Sequence, residues 1–329
     1  MINSAISAFL NNNNSDIDIQ ECFDEIFSGV CEPLNAGAFL SLLKQKGENL
    51  SDVLAGIKSA SQALKKINIA QGEDIIENIV INPPGNMFDI SLGVDIIVSA
   101  SGVGVVKTAL PDYLIQNTSF KTLEKLGINI EKLTPDNFEE TKFIYSYIDK
   151  NSPYLKYTKE LQRVLPYDSI LKTINKFLNP YGAKNCTLAL SSYNKVEEGA
   201  NLCLNLGYIN SVVFSSGKFS YVSIERETKV SEAWKNKIFS YSITPELLGI
   251  EPNPEKTLEV ENEEQSAEII QGIFENKIKN SNYDVLIINA ALSLYIVKRA
   301  DSLLEGLNMA KKIISSNLAL EKLNQLKKL

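Results

Sequence analysis

The chain is predicted to be an α/β protein with a second, smaller helical domain, and two patterns in its sequence support this prediction. Over residues 1–70 the apolar side chains recur at helical spacing. From Ile75 onwards short apolar runs alternate with helical segments, which is typical of an α/β domain. The length of 329 residues, of which 44% are hydrophobic, is enough for two domains that each have a core.

The helices of the N-terminal part are placed by their start and stop signals. Asp18 followed by Glu21 has the form of a capping box, in which side chains satisfy the free N–H groups at a helix start. Gly29 is expected to end that helix. A further helix is predicted over Ala36–Leu43, and the next one begins at Asn49.

The rest of the chain is predicted to form the α/β domain. Its first part alternates between helices and strands, with a helix over Ile90–Ala100, a strand over Val103–Val106 and a helix over Thr118–Leu126. Helices are then predicted over Val196–Leu206 and Glu264–Phe274, followed by a helical C-terminal part. Short apolar runs predict strands at Thr187–Leu190, Val212–Phe214, Phe219–Ile224 and Ile238–Tyr241.

The composition argues against several classes of site and partner. The chain contains no histidine, which removes the commonest general base and every Ser-His or Cys-His pair. Its four cysteines lack metal-ligand or disulfide-scaffold spacing, so buried, reduced thiols are expected. A net charge of -7 makes nucleic acid an unlikely partner, because phosphate binding needs a basic surface. Without a long apolar run or a signal-peptide pattern, the protein is expected to be cytoplasmic and to make no membrane contact.

One segment of the chain is similar to a family signature. Lys107–Gly127 (KTALPDYLIQNTSFKTLEKLG) resembles, gap for gap, the K-H-G-N-R-x-x-S-S-x-x-G-S-x-D-x-L-E-x-L-G segment of anthranilate phosphoribosyltransferases, which binds phosphoribosyl pyrophosphate in that family. The residues that fit the pattern are Lys107, Ser119, Leu123, Glu124, Leu126 and Gly127. Those that stand in place of His, Gly, Asn, Arg and two Ser are Thr108, Ala109, Leu110, Pro111, Leu114 and Ile115.

The resemblance extends over nearly the whole chain. The family's A-F-L, K-G-E, A-G, F-N-I-S, N-P and N-A-A segments are resembled by Ala38–Leu40, Lys46–Glu48, Ala55-Gly56, Phe88–Ser91, Asn179-Pro180 and Asn289–Ala291. This implies a nucleoside phosphorylase/phosphoribosyltransferase-like fold, with a mixed-sheet α/β domain over residues 71–160 and 179–329. A smaller all-helical domain would span residues 1–70 and be completed by about residues 161–178.

The resemblance also implies a small-molecule ligand in a cleft between the two domains and a homodimer formed through the helical domain. The many apolar side chains of the short helices also favour a dimer, because these side chains cannot easily all face one small core. The residues concerned are Phe23, Phe27, Phe39 and Leu43.

The loop that would bind a pyrophosphate is altered. The family uses a glycine-rich G-T-G-G-D loop, since the pyrophosphate must approach backbone N–H groups closely. The equivalent region, Ile81–Asn86, contains Pro83 and Pro84, which remove two N–H donors. Only Gly85 remains there as a candidate ligand-binding residue.

The carboxylates that would bind magnesium in the family are also missing. The matching region, Gly217–Ile224, has no carboxylate before Glu225. Asp89 next to Ser91 could support one magnesium ion, although an Asp at this point is commonly a helix N-cap. We therefore expect no cofactor, with magnesium at Asp89 and Ser91 as the alternative.

Two cationic residues remain as candidate anchors for a ligand. Lys107 ends a predicted strand, at the sheet edge where α/β proteins bind ligands. Arg163 falls within one residue of the family's acceptor-binding Arg, and its alternative role is an ion pair at the surface or between the domains. Ser152-Pro153 stands where the family has a His-Pro step. The full set of predicted ligand-binding residues is Lys107, Ser91, Asp89, Ser119, Arg163 and Gly85, with no catalytic or metal-ligating residue assigned.

These substitutions lead to three hypotheses. The preferred one is a diverged family member that has lost magnesium-dependent phosphoribosyl transfer and binds a small molecule. The second is an active glycosyltransferase or phosphoribosyltransferase with an altered donor or acceptor and a reduced site around Lys107. The third is a nucleic-acid-binding homologue, which the net charge of -7 disfavours.

Overall fold

The computed structural model describes residues 1–13, 17–69, 74–80, 86–109, 119–147, 153–217 and 219–329. The helices are α1 (Ile2–Leu10), α2 (Ile19–Phe27), α3 (Pro33–Lys46), α4 (Leu50–Ala63), α5 (Ile90–Ala100), α6 (Ser119–Lys125), α7 (Phe138–Thr141), α8 (Pro153–Val164), α9 (Ile170–Lys176), α10 (Val196–Asn205), α11 (Glu263–Phe274), α12 (Ser281–Ile296), α13 (Leu303–Ser315) and α14 (Leu318–Lys327). The strands are β1 (Ile75–Val80), β2 (Gly104–Ala109), β3 (Phe143–Tyr147), β4 (Asn185–Ala189), β5 (Asn210–Ser215), β6 (Thr228–Trp234) and β7 (Lys237–Ile243).

The described residues fall into two compact units. The first unit lies within Met1–Ile67, Thr108–Pro111 and Tyr147–Gly182, and its helices are α1 to α4, α8 and α9. The second lies within Asn68–Lys107, Asp112–Ser146 and Ala183–Leu329 and contains the sheet. The domain boundaries given above remain predictions.

The core of the first unit is aromatic. The ring of Phe23 lies 6.1 Å from that of Phe27 and 5.8 Å from that of Phe39, centroid to centroid. These three side chains and Leu43 are fully buried. The apolar residues that suggested a dimer therefore all fit inside the unit, so they supply no argument for an interface.

Capping residues define the helix starts in this unit as the sequence predicts. At the start of α2, Asp18 Oδ1 accepts a hydrogen bond of 3.0 Å from the N–H of Glu21. At the start of α4, Asn49 and Asp52 form a reciprocal capping box. Gly47 follows α3 with a φ of 97°, a conformation that residues with a Cβ rarely adopt.

The second unit is built around a mixed sheet. In the described part of the chain the sheet has seven strands in the order β3-β2-β1-β4-β5-β6-β7. β1 pairs parallel with β2 and β4, and β4 pairs parallel with β5, whereas β6 and β7 extend the sheet antiparallel. The predicted fold class is confirmed. The carboxyl ends of β1, β2, β4 and β5 lie along one edge, where open α/β sheets bind ligands.

Two apolar helices, α5 and α12, pack together in the core of this unit. Nearly all of α12 is buried, and the prediction of a helix over Ile90–Ala100 is confirmed by α5. The helices approach so closely at Gly93 that a Cβ atom there would lie 2.7 Å from Leu286 Cδ2. This contact fixes α5 against the core and so positions the residues at its N-terminus.

The prediction of a strand over Phe219–Ile224 is wrong. This segment belongs to the connection between β5 and β6, here called the β5–β6 loop (residues 216–227). The Val222 N–H donates to Asn289 Oδ1 at 2.9 Å, and Asn289 Nδ2 donates to the Val222 carbonyl at 3.2 Å. The side-chain amide of Asn289 therefore takes the place of the neighbouring strand that the short apolar run predicted.

The expectation for the cysteines is confirmed. Cys22, Cys31, Cys186 and Cys203 are buried and free of disulfides. Among the helices described above, none is long and apolar enough to cross a membrane.

Candidate functional site

The N-terminal turn of α5 carries the first group of candidate residues. Asp89 is the N-cap of the helix, and its Oδ1 accepts a hydrogen bond of 2.9 Å from the N–H of Leu92. Ser91 and Asp95 are four residues apart, so their side chains lie on the same face of the helix. That face is directed towards β2 and Lys107.

Lys107 is held by two side chains of this face. Its ammonium group donates to Ser91 Oγ and lies 3.1 Å from Asp95 Oδ2. The Asp95 side chain is completely buried, and that of Lys107 is 15% exposed. The aromatic ring of Tyr145 on β3 lies 5.5 Å from the ammonium nitrogen, within the range of a cation–π contact.

A second set of polar groups positions Asp95. Asn78 on β1 donates to Asp95 Oδ1 at 2.6 Å. The other amide atom of Asn78, Oδ1, accepts hydrogen bonds from Thr187 at 2.7 Å and from Ser293 at 3.1 Å. Because β1, β4 and α12 all contribute, the carboxylate of Asp95 has a defined position in the core of the unit.

Burial and charge act in opposite directions on this ion pair. Burial by itself lowers the pKa of Lys107, but the negative charge of Asp95, with smaller contributions from Tyr145 and Asp89, raises it above its ordinary value. Burial raises the pKa of Asp95, while Lys107 opposes that shift. We conclude that Lys107 is cationic and that its charge is balanced within the protein.

One buried polar atom near Lys107, Asp89 Oδ2, makes no hydrogen bond with any described residue. The hydroxyl of Tyr145 is also buried, and the side chains of Ser119 and Lys107 lie within its hydrogen-bonding reach. Burial raises the pKa of Tyr145, so its hydroxyl stays protonated. Buried polar groups are normally paired, so Asp89 Oδ2 indicates a place where a ligand or water could bind.

The β5–β6 loop carries a second charged cluster at the same edge of the sheet. Arg226 Nη2 lies 3.1 Å from Glu225 Oε2 and 3.2 Å from Glu255 Oε2. The other carboxylate oxygen of Glu255 accepts a hydrogen bond of 2.5 Å from Ser223, whose hydroxyl also accepts from the Glu225 and Arg226 N–H groups. The guanidinium group of Arg226 therefore binds both carboxylates, and Ser223 of the same loop donates a hydrogen bond to one of them.

The segment from Met87 to Ser91, which includes the first two residues of α5, contacts the β5–β6 loop at one end and Lys107 at the other. The Tyr221 hydroxyl contacts Met87 Sδ at 3.1 Å, and four residues later Ser91 contacts Lys107. β2 and β5 are separated by β1 and β4, so the two strands are roughly 14 Å apart across the sheet. The two clusters thus occupy one edge but do not share a charged side chain.

The carboxylates of this edge do not fit magnesium. Magnesium prefers unpaired carboxylate and phosphate oxygens, whereas Glu225 and Glu255 already bind the cation of Arg226. At the other cluster, a metal ion on Asp89 and Ser91 would lie beside the ammonium of Lys107, which repels it. In the described ranges no group of three or more Cys, Asp or Glu side chains is arranged to hold a metal ion.

The structure brings three of the predicted residues together. Lys107 and Ser91 are in contact, and Asp89 caps the same helix. Ser119 begins α6, whose next residue, Phe120, packs edge-on against Tyr145 with ring centroids 5.1 Å apart. Their role in ligand binding remains a prediction.

The other two predicted residues are Arg163 and Gly85. Arg163 lies on α8 in the first unit, is 70% exposed, and forms an ion pair of 3.0 Å with Glu160. Its predicted role with a ligand stays a prediction. Gly85 lies outside the described residues, as do Pro83, Pro84, Ser152 and the substituted positions from Leu110 to Ile115.

Sequence reasoning missed Asp95 and Arg226. The signal for Asp95 was available, because it is a lone carboxylate in the otherwise apolar helix Ile90–Ala100, four residues after Ser91. The role of Arg226 depends on Glu255, which is distant in sequence, so no local pattern could have paired them.

Comparisons with known proteins agree with this fold. Residues 84–320 match the family described as "Glycosyl transferase family, a/b domain". The chain is 30% identical to an anthranilate phosphoribosyltransferase of Acetivibrio thermocellus over 99% of this chain and 95% of the relative. It is 28% identical to the anthranilate phosphoribosyltransferase of Alkaliphilus metalliredigens over 96% of this chain and 94% of the relative.

Solved structures show the same architecture. Anthranilate phosphoribosyltransferase from Thermus thermophilus superposes with a TM-score of 0.87 at 19% identity, covering 98% of both chains. The Saccharomyces cerevisiae enzyme in complex with PRPP and Mg superposes with a TM-score of 0.86 at 16% identity, covering 99% of this chain and 97% of that one. Sequence and fold together show that the chain belongs to the anthranilate phosphoribosyltransferase family.

Proposed function

We propose that this family member has lost magnesium-dependent phosphoribosyl transfer and works as a small-molecule-binding protein. The observation that carries the proposal is the position of Arg226, whose guanidinium lies between the carboxylates of Glu225 and Glu255. A carboxylate pair that binds a guanidinium has little negative charge left for a divalent cation. The site is thus phosphoribosyltransferase-like in fold but differs from the family's pattern in its charges.

The sequence of the donor loop supports the same proposal. Pro83 and Pro84 have no N–H groups, so the loop offers fewer donors to a pyrophosphate than a glycine-rich loop does. Preorganised donors and cations supply most of the catalysis in phosphoryl and glycosyl chemistry, and losing one costs about 10²-fold or more. Losing both the metal site and the loop donors would leave binding without appreciable turnover.

A turnover assay and a metal titration test this proposal. Purified protein is incubated with phosphoribosyl pyrophosphate, anthranilate and magnesium, and pyrophosphate release is followed. We expect no release above the uncatalysed rate and no calorimetric signal for magnesium up to millimolar concentration. Sustained turnover, or a micromolar dissociation constant for magnesium with phosphoribosyl pyrophosphate, would contradict the proposal.

A variant of Arg226 tests the observation itself. In Arg226→Gln the two carboxylates lose their cation, so magnesium binding should appear in the variant while it is absent in the wild type. Arg299→Gln is the matched control, because Arg299 also forms a 3.0 Å ion pair, with Asp74, but lies outside this cluster. Equal magnesium binding in wild type and Arg226→Gln would show that Arg226 does not block a metal site.

A further inference from the structure

We propose that Asp95 is a specificity-determining residue: it balances the charge of Lys107 and so directs the site towards a neutral, hydroxyl-bearing ligand instead of a phosphate. This inference rests on the proposed function, because it concerns the ligand class of the same site. Nothing in the local sequence requires a carboxylate at this position of an apolar helix, so its presence calls for a physical role.

The geometry shows that Asp95 takes the place an anionic ligand would need. An ammonium group has three N–H donors, and one is directed to Asp95 at 3.1 Å while another is donated to Ser91. The ring of Tyr145 covers a further side of the ammonium at 5.5 Å. A phosphate bound to Lys107 would lie close to the negative charge of Asp95, which is fully buried and contacts the same ammonium group.

The electrostatic cost of that approach is large because the pair is buried. Like charges within a few ångströms in a desolvated site repel strongly, and the fully buried carboxylate of Asp95 is shielded from bulk water. The carboxylate cannot turn away, since Asn78 donates to its other oxygen at 2.6 Å and is itself held by Thr187 and Ser293. Asp95 therefore acts as a fixed counter-ion.

An unpaired polar atom indicates which ligand chemistry remains. Asp89 Oδ2 is a buried acceptor that is not paired with any described residue, so it needs a hydrogen-bond donor. A hydroxyl group of a free sugar or another neutral polyol supplies that donor without adding a negative charge. A phosphate brings a negative charge, which the buried carboxylate of Asp95 repels.

The test compares phosphate binding by the wild type and by Asp95→Asn. The asparagine has the same shape and can still accept from Asn78, but it leaves the ammonium charge unbalanced. With inorganic phosphate as the probe, we expect no rise in melting temperature for the wild type at millimolar phosphate. In Asp95→Asn we expect a clear rise and an affinity at least about tenfold higher, typical of one gained charge-assisted contact.

Two controls give the result a single interpretation. Asp284→Asn removes a carboxyl on α12 of the second unit that, unlike Asp95, is only partly buried, and this change should leave phosphate binding unchanged. The double variant Asp95→Asn/Lys107→Met should lose the phosphate affinity that Asp95→Asn gains. If Asp95→Asn does not fold, Asp95→Ser, which also removes the charge and can accept a hydrogen bond, replaces it.

The outcomes separate this inference from the proposed function. A folded Asp95→Asn that binds phosphate no better than the wild type overturns the inference, as does a wild type stabilised by millimolar phosphate through Lys107. Magnesium-dependent turnover in the wild type would overturn the proposed function, even if Asp95→Asn still gains phosphate affinity.

Discussion

At the scale of single residues, a buried amide side chain takes the structural role that a strand partner would otherwise have. Asn289 on α12 binds both the N–H and the carbonyl of Val222 and also donates to the Val285 carbonyl at 2.8 Å. Asn289 stands in the segment that resembles the family's N-A-A. In this chain Asn289 therefore connects the β5–β6 loop to α12 and fixes the position of the loop at Val222.

Replacing Asn289 by Leu should destabilise the protein strongly. The buried N–H and carbonyl of Val222 would lose their partners, and each unsatisfied group costs about 1–3 kcal/mol. Urea unfolding followed by circular dichroism measures the change. Asn205→Ala is the control, because this exposed amide bonds only within its own helix, and the expected change is within about 0.5 kcal/mol. A similar effect for both variants would contradict the assigned role of Asn289.

The residues around Lys107 show how far a sequence alone can predict a site. Lys107, Ser91 and Asp89 were predicted from their likeness to a family pattern, and the structure places them side by side. Asp95 was not predicted, because its spacing of four residues from Ser91 shows that the two share a helix face but does not show what that face contacts. Its importance depends on β2 lying against that face of α5, which is a property of tertiary packing.

At the scale of elements, regular periodicity was the reliable signal. The helix over Ile90–Ala100 was predicted with its observed bounds, since Asp89 caps it and its polar residues recur every four positions in an otherwise apolar run. The segment Phe219–Ile224 was predicted incorrectly, because a short run rich in aromatic and β-branched residues matches a strand equally well. Only the position of Asn289 in the fold explains why this backbone has no strand neighbour.

The packing of α4 against α9 gives a prediction at the same scale. In Gly56→Ala the new Cβ would lie 2.2 Å from Ile174 Cδ1 and 3.3 Å from Phe23 Cε2. Both neighbours are fully buried, so we expect a loss of about 1–3 kcal/mol from overpacking.

Gly37→Ala is the matched control for this variant. Gly37 is also inside a helix of the first unit, but a Cβ there meets nothing within 4 Å. Alanine is the better helix former by up to about 1 kcal/mol, so this substitution should stabilise the protein. Thermal unfolding of both variants measures the contrast, and a Gly56→Ala protein as stable as the wild type would show that α4 and α9 are less tightly packed.

At the scale of the whole molecule, the expected homodimer needs a surface other than the one first suggested. Phe23, Phe27 and Phe39 fill the core of the first unit and are not accessible. Val30, in the connection before α3, and Leu34, in the first turn of α3, are 78% and 84% exposed. We expect exposed apolar side chains of this size to lie at the centre of an interface between two copies of the unit.

We predict that Val30→Asp combined with Leu34→Asp converts a dimer into a monomer. Two buried charges without partners would outweigh the apolar area of a standard interface. Sedimentation velocity at tens of micromolar protein measures the mass. Leu304→Asp, an exposed leucine of the second unit, should leave it unchanged. A wild type that sediments as a monomer would remove the basis for this prediction.

The way Asn289 holds the β5–β6 loop has a consequence for the thermodynamics of ligand binding. A loop ordered by its ligand loses conformational entropy when the ligand binds, and that loss weakens affinity. In this protein the backbone of Val222 is ordered by α12 as the chain folds, so its entropy is already lost in the free state. A ligand that contacts this part of the loop therefore binds to a main chain that is already ordered. The heat-capacity change on binding should then reflect the apolar area covered by the ligand, with little contribution from coupled folding of the loop.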